Sequence, residues 1–334
     1  MGFLRDIFKT RAKDWIYSKL EDNQVSVEAE SKVIRPREHY INIWLRSIRI
    51  VDIRKGFNTF YPVVHSFVSV PQLGKTEPVE FNMVTTPTKL EALDAKRVDR
   101  VIPINKRMLG PIPFRGGDLN LEVGLFSIKT SDLAGPYLTL IEDISGRAGV
   151  SFVNQAMQFA EPLKNGINLL TGGSDESILE IGLSTTYEGA TLQSGYYVVI
   201  RAERKQLDPK YLKVKEEDNK LYYKDSLVKD FPYLIFEITT TNQKNDWYSI
   251  EELDSSYRAL TNSLREDDLE KIELSWKMFK RTVKLCPDIL QKDAINIIKQ
   301  VEEDLITPLK GDTPTSKPTD LKVKTLREYD IYSI

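Results

Sequence analysis

The apolar residues of this chain change their period along its length, and that change constrains the fold more than any single motif does. Between His39 and Thr241, outside 131–172, they recur mainly at every second position, in segments rich in β-branched and aromatic side chains. After Ser249 they recur at every third or fourth position. A period of two sets alternate side chains on one face of a strand, whereas helical spacing gathers them on one stripe of a cylinder. The expected class is therefore α+β: a mainly antiparallel β-sheet or β-sandwich, followed by a C-terminal helical region.

Strands are predicted over 41–53, 59–70, 79–84, 101–104, 119–128, 178–185, 195–201, 210–214 and 233–241. In the first of these, Ile41, Ile43 and Leu45 alternate before the phase shifts to Ile48 and Ile50, which predicts a bulge or a bend. Gly110-Pro111-Ile112-Pro113 and Arg115-Gly116-Gly117-Asp118 read as turns between strands, and the charge-rich stretch 203–230 reads as a solvated hairpin. Helical spacing of Leu133, Tyr137 and Ile141, and then of Val153, Ala156 and Phe159, predicts a two-helix insertion at 131–172 within a β-rich domain at 39–241.

The helical region is assigned to 246–306. Ser249 and Glu252 have capping-box spacing ahead of Leu253, Tyr257 and Leu260. A second helix carries Leu269, Ile272, Trp276, Phe279 and Val283 before Pro287, and a third carries Ala294, Ile297 and Val301. Their stripes must bury against one another or against the sheet. Residues 307–334 read as a Pro/Thr linker followed by a docking tail.

At the other end, Phe3, Leu4, Ile7, Phe8, Trp15 and Ile16 fall at helical spacing, so residues 1–20 are expected to form an amphipathic helix, with 21–38 as a linker. Arg5, Lys9, Arg11, Lys13 and Lys19 outnumber Asp6 and Asp14 in this segment. These six apolar residues are the candidate contact set for a protein partner's groove or, alternatively, for an anionic membrane surface. Gly2 does not mark a myristoylation site, because Asp6 stands where Ser or Thr is required.

Chemistry is sparse. The chain of 334 residues has one cysteine, Cys286, and two histidines, His39 and His65. No internal disulfide is possible and the common zinc sets cannot be assembled, so no metal and no cofactor is expected. The thiol count suits a reducing compartment, and the expected location is cytoplasmic, or membrane-associated if the first helix lies on a bilayer. Apolar runs fall far short of the ~20 residues that a spanning helix needs. Ser69 to Thr76 ends in Gly-Lys-Thr like a phosphate-binding loop, but Ser69 replaces the first glycine and Pro78 follows, so it reads as a turn. Cys286 sits at a helix C-terminus, where the dipole opposes thiolate formation.

The net charge of −2 supplies no general attraction for polyanions, and nucleic acid is not expected as a partner. A small-molecule ligand is left open. No catalytic residue is assigned. The expected function is that of a non-catalytic protein-binding or assembly component, a scaffold or adaptor in an intracellular complex with another protein or with its own copies, contacting partners through its N-terminal amphipathic helix and its C-terminal helices. One alternative is a peripheral membrane effector anchored by the first helix. Another is a carboxylate- or metal-dependent hydrolase or nuclease drawing on Asp94, Asp99, Asp118, Asp132, Asp143 and Asp175.

Overall fold

A computed structural model of the chain describes residues 15–26, 31–51, 54–55, 58–72, 75–84, 101–129, 177–203, 205–215, 217–266 and 268–307. The chain divides into two compact units, 1–243 and 244–334. The insertion expected at 131–172, the tail after Thr307 and most of the first expected helix lie outside the described residues.

The first unit is built from β1 (Ile16–Lys19), β2 (Tyr40–Arg49), β3 (Arg54–Lys55), β4 (Asn58–Val70), β5 (Val79–Val84), β6 (Val101–Pro113), β7 (Leu119–Lys129), β8 (Ser177–Tyr187), β9 (Gly195–Ile200), β10 (Leu212–Lys215), β11 (Lys220–Tyr223), β12 (Ser226–Leu227) and β13 (Tyr233–Thr241). One five-stranded sheet runs β1-β9-β13-β2-β6. A second runs β3-β4-β7-β8, with β5 paired to β4, and β10-β11-β12 form a small third sheet. Every pairing between these strands is antiparallel.

The two large sheets share one core. Ile41, Ile43 and Leu45 of β2 and Leu234, Phe236 and Ile238 of β13 belong to the same buried cluster as Val64 and Val68 of β4 and Leu121, Val123 and Leu125 of β7. The outer side of the first sheet carries another core, in which Ile16, Val198, Ile200, Tyr233 and Ile235 meet Leu212, Val214 and Leu221 of the small sheet. This explains why β9 and β13 are apolar on both faces.

The phase shift in β2 is a bulge. Ile235 pairs with Ser47 and Phe236 with Leu45, so Arg46 has no partner on β13 and alternation resumes on the other side of it. One of the expected turns differs from the fold. Residues 105–113 continue β6 instead of turning, because Gly110 at φ 96° and the shifts of register against β2 absorb the Gly-Pro irregularity within the strand. A Cβ at Gly110 would lie 2.1 Å from the Ile41 carbonyl oxygen, so only glycine fits there. Gly116 and Gly117, also at positive φ, make the expected turn between strands and carry the chain from β6 in one sheet to β7 in the other. The hairpin expected within 203–230 is present as β10 and β11, with β12 added beside it.

Residues 16–19 are a strand, not the end of a helix: β1 pairs with β9 at the edge of the first sheet, Ile16 opposite Ile200 and Lys19 opposite Tyr197. Helical spacing and a short two-faced strand look alike over four residues, and tertiary pairing decides between them. The segment after it is tied down at several points. Gln24 Nε2 donates to the carbonyls of Pro209 and Leu212 at 2.8 and 2.7 Å, Val25 bridges to Val214, Val33 bridges to Gln193, and Ile34 is buried.

The second unit contains α1 (Glu251–Glu266), α2 (Leu269–Leu285) and α3 (Gln291–Val301), with a π-helical turn at Glu302–Ile306. α2 starts where the Asp268 carboxylate accepts the Lys271 N–H at 3.2 Å, and it stops before Cys286-Pro287, where Cys286 is extended. Ser249 does not cap α1 in the expected way: its hydroxyl donates to the Asp246 carbonyl at 2.5 Å, and the Ile250 carbonyl accepts the first helical N–H groups. Ile272, Trp276, Phe279 and Val283 form the buried stripe of α2. Phe279 lies 5.9 Å from the Trp276 ring and 6.0 Å from those of Trp247 and Tyr257.

Candidate functional site

Of the six contact residues expected near the N-terminus, Phe3, Leu4, Ile7 and Phe8 lie outside the described residues. Trp15 is half-buried, and Ile16 is 1% exposed inside the outer core of the first sheet. The Ile16 side chain is thus committed to the fold.

The cysteine and one of the two histidines are buried. Cys286 is buried, and desolvation, the largest effect, pushes its thiol up to about 12 against the help of an Asp288 backbone hydrogen bond. A thiol held protonated in this way is a poor nucleophile. His65 is fully buried on β4 against the edge of the Phe126 ring, and burial lowers its pKa to about 3, so its imidazole stays neutral. His39 is half-buried and its Nδ1 faces the backbone of Arg35. Ser69 and Val70 pair directly with Glu80 and Val79, which makes the Gly-Lys-Thr stretch the connection of a β-hairpin. Among the described residues no group of three His, Cys, Asp or Glu side chains could hold a metal ion. Of the six scattered aspartates only Asp118 is described.

A cationic aromatic cluster sits on the first sheet. Trp44 pairs with Arg107 across to β6 and with Glu237 across to β13. The Arg107 and Arg46 guanidinium carbons lie 4.7 and 5.1 Å from the indole centroid. Arg46, projecting from the bulge, donates to Glu237 at 2.6 Å and to Asn105 at 3.3 Å, while Arg107 donates to the Gly110 carbonyl at 3.2 Å. These charges are bound to neighbours within the fold. The cluster works as a clasp over the β2 bulge and the irregular part of β6, which is a structural use of basic residues that the sequence places far apart.

The helical unit offers a different surface. Leu274, Met278 and Leu285 on α2 are 63%, 54% and 70% exposed, on the side of the helix away from its buried stripe. Their spacing of four and seven residues makes a second apolar line that the core does not use. Beside it, α1 presents small side chains. Ser263 and Ser275 meet hydroxyl to hydroxyl at 2.6 Å, which holds α1 and α2 close together. Above this contact a groove of about 750 Å³ runs between the helices, lined by Ser255, Ser256 and Ala259 on one wall and by Leu274, Met278 and Thr282 on the other. Glu252, Glu266 and Lys271 stand along it. A hydrophobic ridge beside a small-residue furrow is suited to receiving the side chains of another helix. The sequence carries the signal for it, since Leu274, Met278 and Leu285 repeat at helical spacing out of phase with Trp276 and Phe279.

Charged residues are also buried in this unit. Lys244 is buried, its backbone N–H donates to Asp293 at 2.9 Å, and its ammonium lies 3.6 Å from Asp246. Asp288 and Asp293 are buried as well.

Comparison of the chain with known protein families, with curated proteins and with solved structures returned no match. No described helix is long and apolar enough to cross a membrane.

Proposed function

We propose that this protein is a non-catalytic assembly component that binds a protein partner through the α1/α2 face of its helical unit. The observation that carries this reading is the pair Leu274 and Met278, large apolar side chains left more than half exposed at the rim of a groove. Fully burying one such side chain is worth up to about 1.5 to 3 kcal/mol, so the pair is a favourable contribution that a partner would add to by covering the rest of the groove. The buried, protonated Cys286 thiol and the buried, neutral His65 ring favour a binding role over a catalytic one that would use them.

The test is a photoreactive amino acid placed at position 278 and, as a control, at Lys213 on the exposed side of β10, in the native cell. Position 278 is expected to give a discrete protein adduct that the control lacks and that Leu274→Glu removes. The absence of an adduct from position 278, or the same adducts from both positions, would sink the proposal.

A further inference from the structure

Resting on that proposed binding role, we infer that the partner of the α2 face is a second copy of this chain, docked with the two α2 helices antiparallel. The inference comes from how charge is ordered along the exposed side. Glu270 lies near the start of α2 and Arg281 near its end, with Leu274 and Met278 between them, and all four are exposed. At 3.6 residues per turn these four positions fall on one face of the helix.

A two-fold axis level with position 276 leaves that face complementary to itself. Leu274 and Met278 are each two residues from the axis, so each meets the other in the second copy. Glu270 and Arg281 lie six and five residues away on opposite sides, which leaves them within about 1.5 Å of level across the interface. The flank repeats the order, with Glu273 on the early side of the axis and Lys280 and Lys284 on the late side. In an antiparallel pair like flanks face each other, so Glu273 of one copy meets these lysines of the other. Glu273 already pairs with Lys277 of its own helix at 2.6 Å, but that contact is exposed and weak enough to be shared. A parallel pair would instead set Glu270 against Glu270 and Arg281 against Arg281. The groove beside Leu274 gives the flexible Met278 of the second copy a place to enter between Ser255 and Ala259. One helix face is a small interface, and the resulting dimer is a dissociating one.

Sedimentation of the purified full chain over a wide concentration range tests this. Wild type is expected to pass from monomer to dimer, and Leu274→Glu to stay monomeric, with an unfolding midpoint equal to that of wild type at concentrations where wild type is monomeric. Glu270→Arg and Arg281→Glu should each weaken the dimer roughly tenfold, since each brings like charges together twice. Combining both substitutions in one chain should restore it, and so should mixing the two single variants. A wild type that stays monomeric throughout overturns the inference, as does a dimer indifferent to the single substitutions or not rescued by the double. If the purified chain is monomeric while position 278 still crosslinks a different protein in the cell, the second copy is excluded and the binding role stands. If neither is seen, both fall.

Discussion

The two units of this molecule treat apolar side chains differently. In the β unit, strands that are apolar on both faces have both faces covered: β13 buries Leu234, Phe236 and Ile238 between the large sheets and Tyr233 and Ile235 under the small one. In the helical unit, α2 is also apolar on two sides, yet only the side with Trp276 and Phe279 is covered. Of the large apolar side chains left exposed among the described residues, Leu269, Leu274, Met278, Leu285 and Ile295 belong to the helical unit, and only Val33 and Tyr211 to the much larger β unit. The residue types are alike, so composition is not the difference. The β unit has a third layer to place over its second apolar face, and the helical unit has none among its described elements.

The largest expected effects equalise the two units. Phe236→Ala and Phe279→Ala each remove a fully buried ring stacked on other aromatics, and each is expected to destabilise its unit by about 3 to 5 kcal/mol in denaturant unfolding. A much smaller loss for Phe279→Ala would mean that the helical unit is loosely packed throughout, and the contrast drawn above would no longer concern one face of α2.

Dependence on pH should next read one buried group in each unit. In the β unit, folded His65 takes its proton only near 3, whereas the unfolded chain takes it near 6.5. Below 6.5 the unfolded form therefore binds more protons and stability falls as pH drops, by up to about 1.4 kcal/mol per pH unit. His65→Phe should flatten that acid limb. In the helical unit the sign is reversed: folded Cys286 keeps its proton to about 12, whereas the unfolded chain loses it near 9.0. Stability therefore falls as pH rises from 9.0, and Cys286→Ala should make that alkaline limb shallower. Thermal midpoints measured at matched pH for wild type and variants read both slopes.

The smallest effect is the sharpest test of the contrast. Leu274→Ala should change unfolding stability by less than about 0.5 kcal/mol, because a side chain that is mostly exposed contributes little to its own fold. A loss as large as that of Phe279→Ala would show that α2 has no spare face.

Much of the fold was legible because strand alternation is a local property. The reading of 79–84 and 233–241 coincides with β5 and β13, and the change of phase after Leu45 marks the bulge at Arg46. What was not legible depends on contacts between segments distant in the chain. β1 has four residues and takes its identity from β9, and the residues of β6 after Ile104 continue the strand only because β2 runs beside them. The clasp of Trp44 with Arg107 follows from a register that no window of sequence displays. The apolar line on α2 lies between these cases. Leu274, Met278 and Leu285 are regularly spaced, but a stripe pattern does not say which of two stripes a core will take.

The edge position of β1 changes how the N-terminal region should be cut. Removing twenty residues would strip a strand from β9 and uncover Ile200 and Val198, so a truncated protein that failed to bind liposomes would report damage to the sheet and not the loss of an anchor. A deletion that stops at Asp14 keeps that border intact. Ile16–Lys19 thus mark the point at which this end of the chain becomes part of a sheet.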